Sequence, residues 1–187
     1  MFKEYYGKVL FLATVYSHLA AFHIPFMQLL QEKGYEVHAA ASSNGGRKDE
    51  VALMGVKCWE IPFSRSPYSL NNLKAFRQLK DLFKTVRFDL IHVHTPVASF
   101  LGRYLAKITQ QGPVIYTAHG FHFYKGAPIQ NWIIFYPIER FLSKYTDTII
   151  TINREDYENA SRFRTCDCVK VNGVGINISD IILDKKH

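Results

Sequence analysis

Histidine is the residue type that most invites a chemical reading here. The chain has 187 residues and eight histidines, and several stand beside apolar runs. His18 follows the run at 8–13, His94 follows the run at 89–93, and His119 follows the run at 114–117. An imidazole can donate or accept a proton near neutral pH, hold a substrate hydroxyl, or ligate a metal. His94 and His119, at the exits of these runs, read as functional. His92 and His38 lie inside apolar runs and read as hydrogen-bonded structural histidines. His23, in Phe22-His23-Ile24-Pro25, stands near a helix start, facing either a crevice or solvent. Other polar residues follow the same runs: Thr14, Tyr16 and Ser17; Ser42, Ser43 and Asn44; Thr95; Gly120 and His122; Asn153 and Arg154.

A metal site is the direct alternative, because His92-Val93-His94 with His119 offers three imidazoles. Between Asp89 and Glu139, however, there is no Asp or Glu. Hydrolytic metal sites usually need a carboxylate as ligand or general base. The expectation is therefore no metal, with a histidine-rich metal hydrolase kept as a competing reading. The chain has no P-loop and no G-x-S-x-G elbow. Gly173-Val174-Gly175 fails the dinucleotide fingerprint, since Ile178 stands where the third glycine belongs. Cys58, Cys166 and Cys168 are an odd set without framework spacing and read as reduced thiols.

The elements that must position these residues alternate. Strand patterns at 8–13, 35–41, 56–61, 89–93, 114–117, 148–151 and 168–171 are separated by helix patterns at 19–33, 48–54, 70–86, 97–108, 130–144 and 156–162. In the helix at 70–86, Leu73, Phe76, Leu79, Phe83 and Val86 recur three or four apart and make an apolar stripe. Strands that are apolar almost throughout are buried on both faces, which is the mark of a parallel sheet covered by helices. The fold class expected is α/β, a single Rossmann-like, doubly wound parallel sheet. Such sheets bind ligands outside the carboxyl ends of their strands, where the histidines are expected. Residues 1–171 read as this domain and 172–187 as a linker stub.

Hydrophobic residues make up 48 % and charged residues 21 %, a globular balance. The net charge of +7 favours contact with phosphate or an anionic surface, although a solvated basic face explains it equally well. The N-terminus carries no signal-peptide pattern, and the run at 9–16 is far too short to span a bilayer, so membrane contact would be peripheral. Phe121, Phe123, Tyr124, Trp132, Phe135 and Tyr136 form an unusually aromatic segment. It suits either core packing or a sugar- or membrane-facing surface.

Several segments together resemble the N-terminal domain of glycosyltransferase family 4, retaining enzymes of the GT-B type. They are Phe22-His23-Ile24-Pro25, Ile91-His92-Val93-His94-Thr95-Pro96, Thr117-Ala118-His119-Gly120-Phe121-His122, Asp147-Thr148-Ile149-Ile150-Thr151-Ile152-Asn153 and Val171-Asn172-Gly173-Val174-Gly175. The resemblance covers about residues 8–177 and is strongest to capsule and exopolysaccharide transferases acting on lipid-linked sugars. It implies two facing Rossmann-like domains with the site between them. The N-terminal domain receives the acceptor, and the other holds the nucleotide sugar through an E-x7-E pair. It also implies that no cofactor or obligatory metal takes part and that no nucleic acid is bound. The location implied is cytoplasmic, peripheral on the inner membrane face. His119 matches the family's T-x-H-G histidine, with a catalytic role in orientation and charge stabilisation near the transferring sugar. His18, His23, His94, Thr95, Gly120, Phe121, His122 and Asn153 are the expected substrate-binding residues. No two glutamates here stand eight apart. The expectation is thus the acceptor half of an enzyme, inactive alone, or else a non-catalytic acceptor-recruiting subunit. Where many relatives carry a glycine pair after the first strand, this chain has Thr14 to His18, so His18 or backbone amides would meet a phosphate.

Overall fold

The computed structural model describes residues 5–163 and 166–173. Among them, seven strands form one wholly parallel sheet: β1 Lys8–Val15, β2 Glu36–Ser42, β3 Lys57–Glu60, β4 Leu90–His94, β5 Val114–Ala118, β6 Thr148–Thr151 and β7 Asp167–Lys170. Their order is β3-β2-β1-β4-β5-β6-β7, the doubly wound arrangement expected. The order reverses between β1 and β4. Connections diverge there and leave a crevice at the carboxyl edge.

The helices are α1 Tyr16–Phe22, α2 Ile24–Glu32, α3 Lys48–Leu53, α4 Asn71–Thr85, α5 Pro96–Ile108, α6 Ile129–Leu142 and α7 Arg154–Ser161. Two cores sandwich the sheet. One joins Val9, Phe11 and Ala13 of β1 to Leu19, Met27 and Val51 from α1, α2 and α3. The other joins Leu10 and Leu12 to Leu79, Phe83, Leu101, Leu105 and Ala160 from α4, α5 and α7. Alternate residues of one strand thus enter opposite cores, which explains the unbroken apolar reading of β1.

Three expectations about elements change. The helix expected over 19–33 is two helices broken at His23, because Pro25 at the start of α2 fits a first turn and cannot extend a helix that precedes it. No loop follows β1: the strand runs to Val15 and α1 begins at Tyr16. Leu73, assigned to the stripe of α4, is half-exposed, and Ala75 and Leu82 share the buried face instead. The linker stub at 172–187 lies, beyond Gly173, outside the described residues.

Candidate functional site

Side chains alternate across a strand, and this alternation assembles the site. Phe11 of β1 pairs in register with His92 of β4, and His92 with Ile115 of β5. His92, His94 and Thr117 therefore share the face that carries α1 and α2, and His119 emerges one residue beyond β5. His18 descends from α1 onto the same spot. The break at His23 turns its ring inward, where it is 2 % exposed.

The result is a cluster of imidazoles at the switch point. The rings of His23 and His94 stack at 3.8 Å, and His92 lies 4.1 Å from His94. His18 and His119 meet edge to face at 4.6 Å, with their Nε2 atoms 3.3 Å apart. One ring nitrogen from each of His18, His23, His94 and His119 lies within 4.8 Å of the others. Phe11, Phe22 and Phe26 wall the group. His94 is fully buried, whereas His18 and His119 are partly exposed and form its mouth. Both ring nitrogens of His23 and of His94 are buried without a hydrogen-bond partner among the described residues.

Burial holds these rings neutral, because a low-dielectric site disfavours the charged form. It is the leading cause at every member, and mutual repulsion adds to it at all but His119. His18 is lowered to about 4, His92 to about 3 and His23 to about 2. His94 falls well below its ordinary value, and His119 is lowered by burial. The neighbouring histidines of the interior behave differently. His92 shares a 2.8 Å hydrogen bond with the Thr117 hydroxyl. His38 is fully engaged, with Nε2 on Glu36 at 2.7 Å and Nδ1 accepting from the Trp59 indole at 2.9 Å.

Thr95 holds the loop that leaves β4. It has φ 62° and ψ 145°, a region costly for a β-branched residue. Its hydroxyl lies 2.8 Å from that of Thr14 and accepts the Thr14 backbone N–H at 2.9 Å. This pins the exit of β4 to that of β1, directly under the cluster. Thr95 is thus a brace at the site and not itself a member of the cluster. Gly120 has φ 142°, which frees the chain to turn after His119.

Three expected binding residues stand apart. The Phe121 side chain is core, stacked on Phe123 at 4.7 Å, and its backbone N–H donates to Asp156. Asn153 caps α7: its Oδ1 accepts the Asp156 N–H at 2.8 Å, and its Nδ2 donates to the Asp156 carboxylate at 2.7 Å. His122 is exposed and packs its ring against Phe135 at 4.7 Å, away from the cluster. Tyr16 is buried, its hydroxyl reaching the carbonyls of Ala39 and Trp59. One feature had no sequence signal. Arg103 is wholly buried, donates to Glu139 at 2.8 Å and lies over the Tyr116 ring at 4.1 Å. It locks α5 to α6 on the face of the sheet opposite the cluster.

The profile of a family described as "Glycosyl transferase 4-like" matches residues 8–153. The protein named "Putative glycosyltransferase EpsD" from Bacillus subtilis (strain 168) is 44 % identical over 174 residues, covering 91 % of this chain and 44 % of its own length. An Escherichia coli UDP-Gal:alpha-D-GlcNAc-diphosphoundecaprenol alpha-1,3-galactosyltransferase is 24 % identical over 154 residues, covering 80 % of this chain and 40 % of its own. The chain spans less than half the length of these relatives. Among solved structures, Anabaena HepE in complex with UDP and glucose superposes with a TM-score of 0.62 at 14 % identity, over 93 % of this chain and 46 % of that one. At that identity the likeness establishes a shared fold.

Proposed function

The chain belongs to the glycosyl transferase 4-like family, and from that premise we propose that it is the acceptor-side domain of a retaining hexosyltransferase building capsule or exopolysaccharide. The donor is a nucleotide sugar, held chiefly by a second domain facing the carboxyl edge of this sheet. The acceptor is a lipid-linked glycan. The Escherichia coli relative supports both, since its name specifies a UDP-sugar and a diphosphoundecaprenol acceptor. The nucleotide sugar is a substrate, and the transfer itself uses no cofactor.

One observation carries the reading: His119 stands partly open at the mouth of the cluster, at the switch point where such sheets bind ligands, with its ring kept neutral by burial. Retaining transfer develops positive charge at the anomeric carbon. A neutral imidazole tolerates that charge and still offers a hydrogen bond to a sugar hydroxyl, whereas an imidazolium would oppose it. The role of His119 narrows accordingly to orientation and hydrogen bonding, without cationic stabilisation. His18 sets the His119 ring through the 3.3 Å Nε2 contact. His23 and His94 form the floor beneath them.

The test is His119→Ala in the protein carrying both domains. Turnover is expected to fall roughly 10²-fold or more, the size of loss seen when one preorganised donor is removed, with KM nearly unchanged. His122→Ala, whose ring lies on Phe135, is expected to keep wild-type turnover. Equal turnover in His119→Ala and wild type would remove the assignment.

A further inference from the structure

We infer that His18, His23, His94 and His119 form a binding site for one divalent transition-metal ion of the zinc class. The inference goes beyond the transferase reading and does not rest on it: the ion belongs to the chain with no sugar bound, since a cation held on His119 would oppose the charge that develops at the anomeric carbon.

The geometry comes first. Zinc binds imidazole nitrogen at about 2.0–2.1 Å, so a tetrahedral site sets neighbouring nitrogens about 3.3 Å apart. The Nε2 atoms of His18 and His119 are already 3.3 Å apart. The four ligand nitrogens lie within 4.8 Å of one another, and binding would draw them together and part the His23 and His94 rings, which are stacked at 3.8 Å. Sequence spacing conceals this set. Its members come from α1, the α1–α2 break, the end of β4 and the residue after β5, and His92 is not among them.

The second observation is the unpartnered buried nitrogens. His23 and His94 each bury two ring nitrogens with no partner among the described residues. An unsatisfied buried polar atom costs about 1–3 kcal/mol. A metal ion would engage one nitrogen on each ring. The ligand form of histidine is the neutral ring, and burial keeps these rings neutral. Imidazole without carboxylate selects zinc, copper or nickel over magnesium or calcium. The absence of Asp and Glu between Asp89 and Glu139 argues against a hydrolytic centre but not against an all-imidazole one. His18 and His119, partly exposed, give the ion a way in. The remaining nitrogens of His23 and His94 lack the acceptors that usually orient a ligand ring. Such support is worth about 10–100-fold in affinity, so the site is weaker by that factor than a fully braced zinc site.

Cobalt serves as the probe. Purified protein is stripped with chelator and titrated with Co²⁺ in the visible. One Co²⁺ per chain, with the intense absorption of a tetrahedral ion that Zn²⁺ then bleaches, is the expected result. The double variant His18→Gln/His119→Gln, changed only at the mouth, is expected to bind at least tenfold more weakly with its thermal melt retained. His122→Gln and His187→Gln are expected to bind as wild type. Weak octahedral absorption, no saturation at one equivalent, or an unchanged double variant would overturn the site. If the double variant melts early, X-ray absorption on the wild-type cobalt protein decides, since fewer than three imidazole nitrogens on the metal also overturns it. Transfer activity, measured separately, leaves these outcomes untouched.

Discussion

At the scale of single residues, the cluster makes folding depend on pH in a definite direction. Unfolded histidines titrate near 6.5, while the folded rings titrate lower, at about 4 for His18, about 3 for His92 and about 2 for His23. As the pH falls below about 6.5, the unfolded chain takes up protons that the folded cluster refuses. Stability is therefore full above that pH and is lost on acidification through the window down to the folded values. Each such histidine contributes a slope of up to about 1.4 kcal/mol per pH unit. Urea midpoints of chelator-treated protein should fall steadily from pH 7 to pH 5, before most carboxylates titrate. A midpoint unchanged over that range would mean that the rings are not buried in neutral form. His18, His38, His92, His94 and His119 were legible one by one in the sequence, because each follows or lies within a strand pattern. Their grouping was not. His18 and His119 touch across 101 positions, and the inward turn of His23 depends on a helix break that the pattern at 19–33 concealed. Phe121 and Asn153 misled for a related reason. A residue just past a strand can as well turn into the core or cap the next helix, and only the packing partners, Phe123 and Asp156, decide.

At the scale of elements, the central strands were legible almost residue by residue, since a parallel strand buried on both faces leaves an unbroken apolar run. What was missed are the close approaches that set strand positions. Gly112, between α5 and β5, shows this. A Cβ there would lie 2.6 Å from the Phe88 carbonyl oxygen and 2.7 Å from that of Asp89. Those carbonyls belong to the segment entering β4, the strand that carries His92 and His94. Gly102 of α5 is also tight, but its would-be contacts are the Leu12 and Val93 side chains at 2.5 and 2.9 Å. Side chains yield more readily than backbone, and alanine in a helix recovers about 1 kcal/mol over glycine. Gly112→Ala is therefore expected to cost about 1–3 kcal/mol and Gly102→Ala less. Denaturant unfolding of the two variants checks the order, and a larger loss at Gly102 would refute it. Because Gly112 leans on the entry to β4, its variant should also disturb the cluster, seen as shifted histidine resonances, while a thermally intact Gly102→Ala should not.

At the scale of the whole molecule, one helix does not fit a water-facing surface. Surface helices place polar residues outward, yet the outer face of α6 presents Ile129, Ile133, Ile134, Ile138 and Phe141, of which Ile129 and Ile133 are 70 % and 66 % exposed. Its inner face is also apolar, with Trp132, Phe135 and Tyr136 against the core. The aromatic segment thus divides. Most of its rings pack inward, Tyr124 excepted, and a row of aliphatic side chains faces out. Lys125, Arg140 and Lys144, close to α6 in sequence, are exposed, within a chain of net charge +7. Exposed aliphatic side chains on a cationic chain would suit an anionic bilayer surface, which is also where the proposed lipid-linked acceptor would reside. No helix among the described residues is long and apolar enough to cross a membrane. Co-sedimentation with vesicles containing anionic lipid should retain the protein at low salt and release much of it at high salt, because screening removes the cationic part. Ile133→Asp with Ile134→Asp, both on the exposed face, should abolish retention while the thermal melt stays close to wild type. Recovery of wild type in the supernatant with and without vesicles at low salt would overturn the lipid reading of the α6 face.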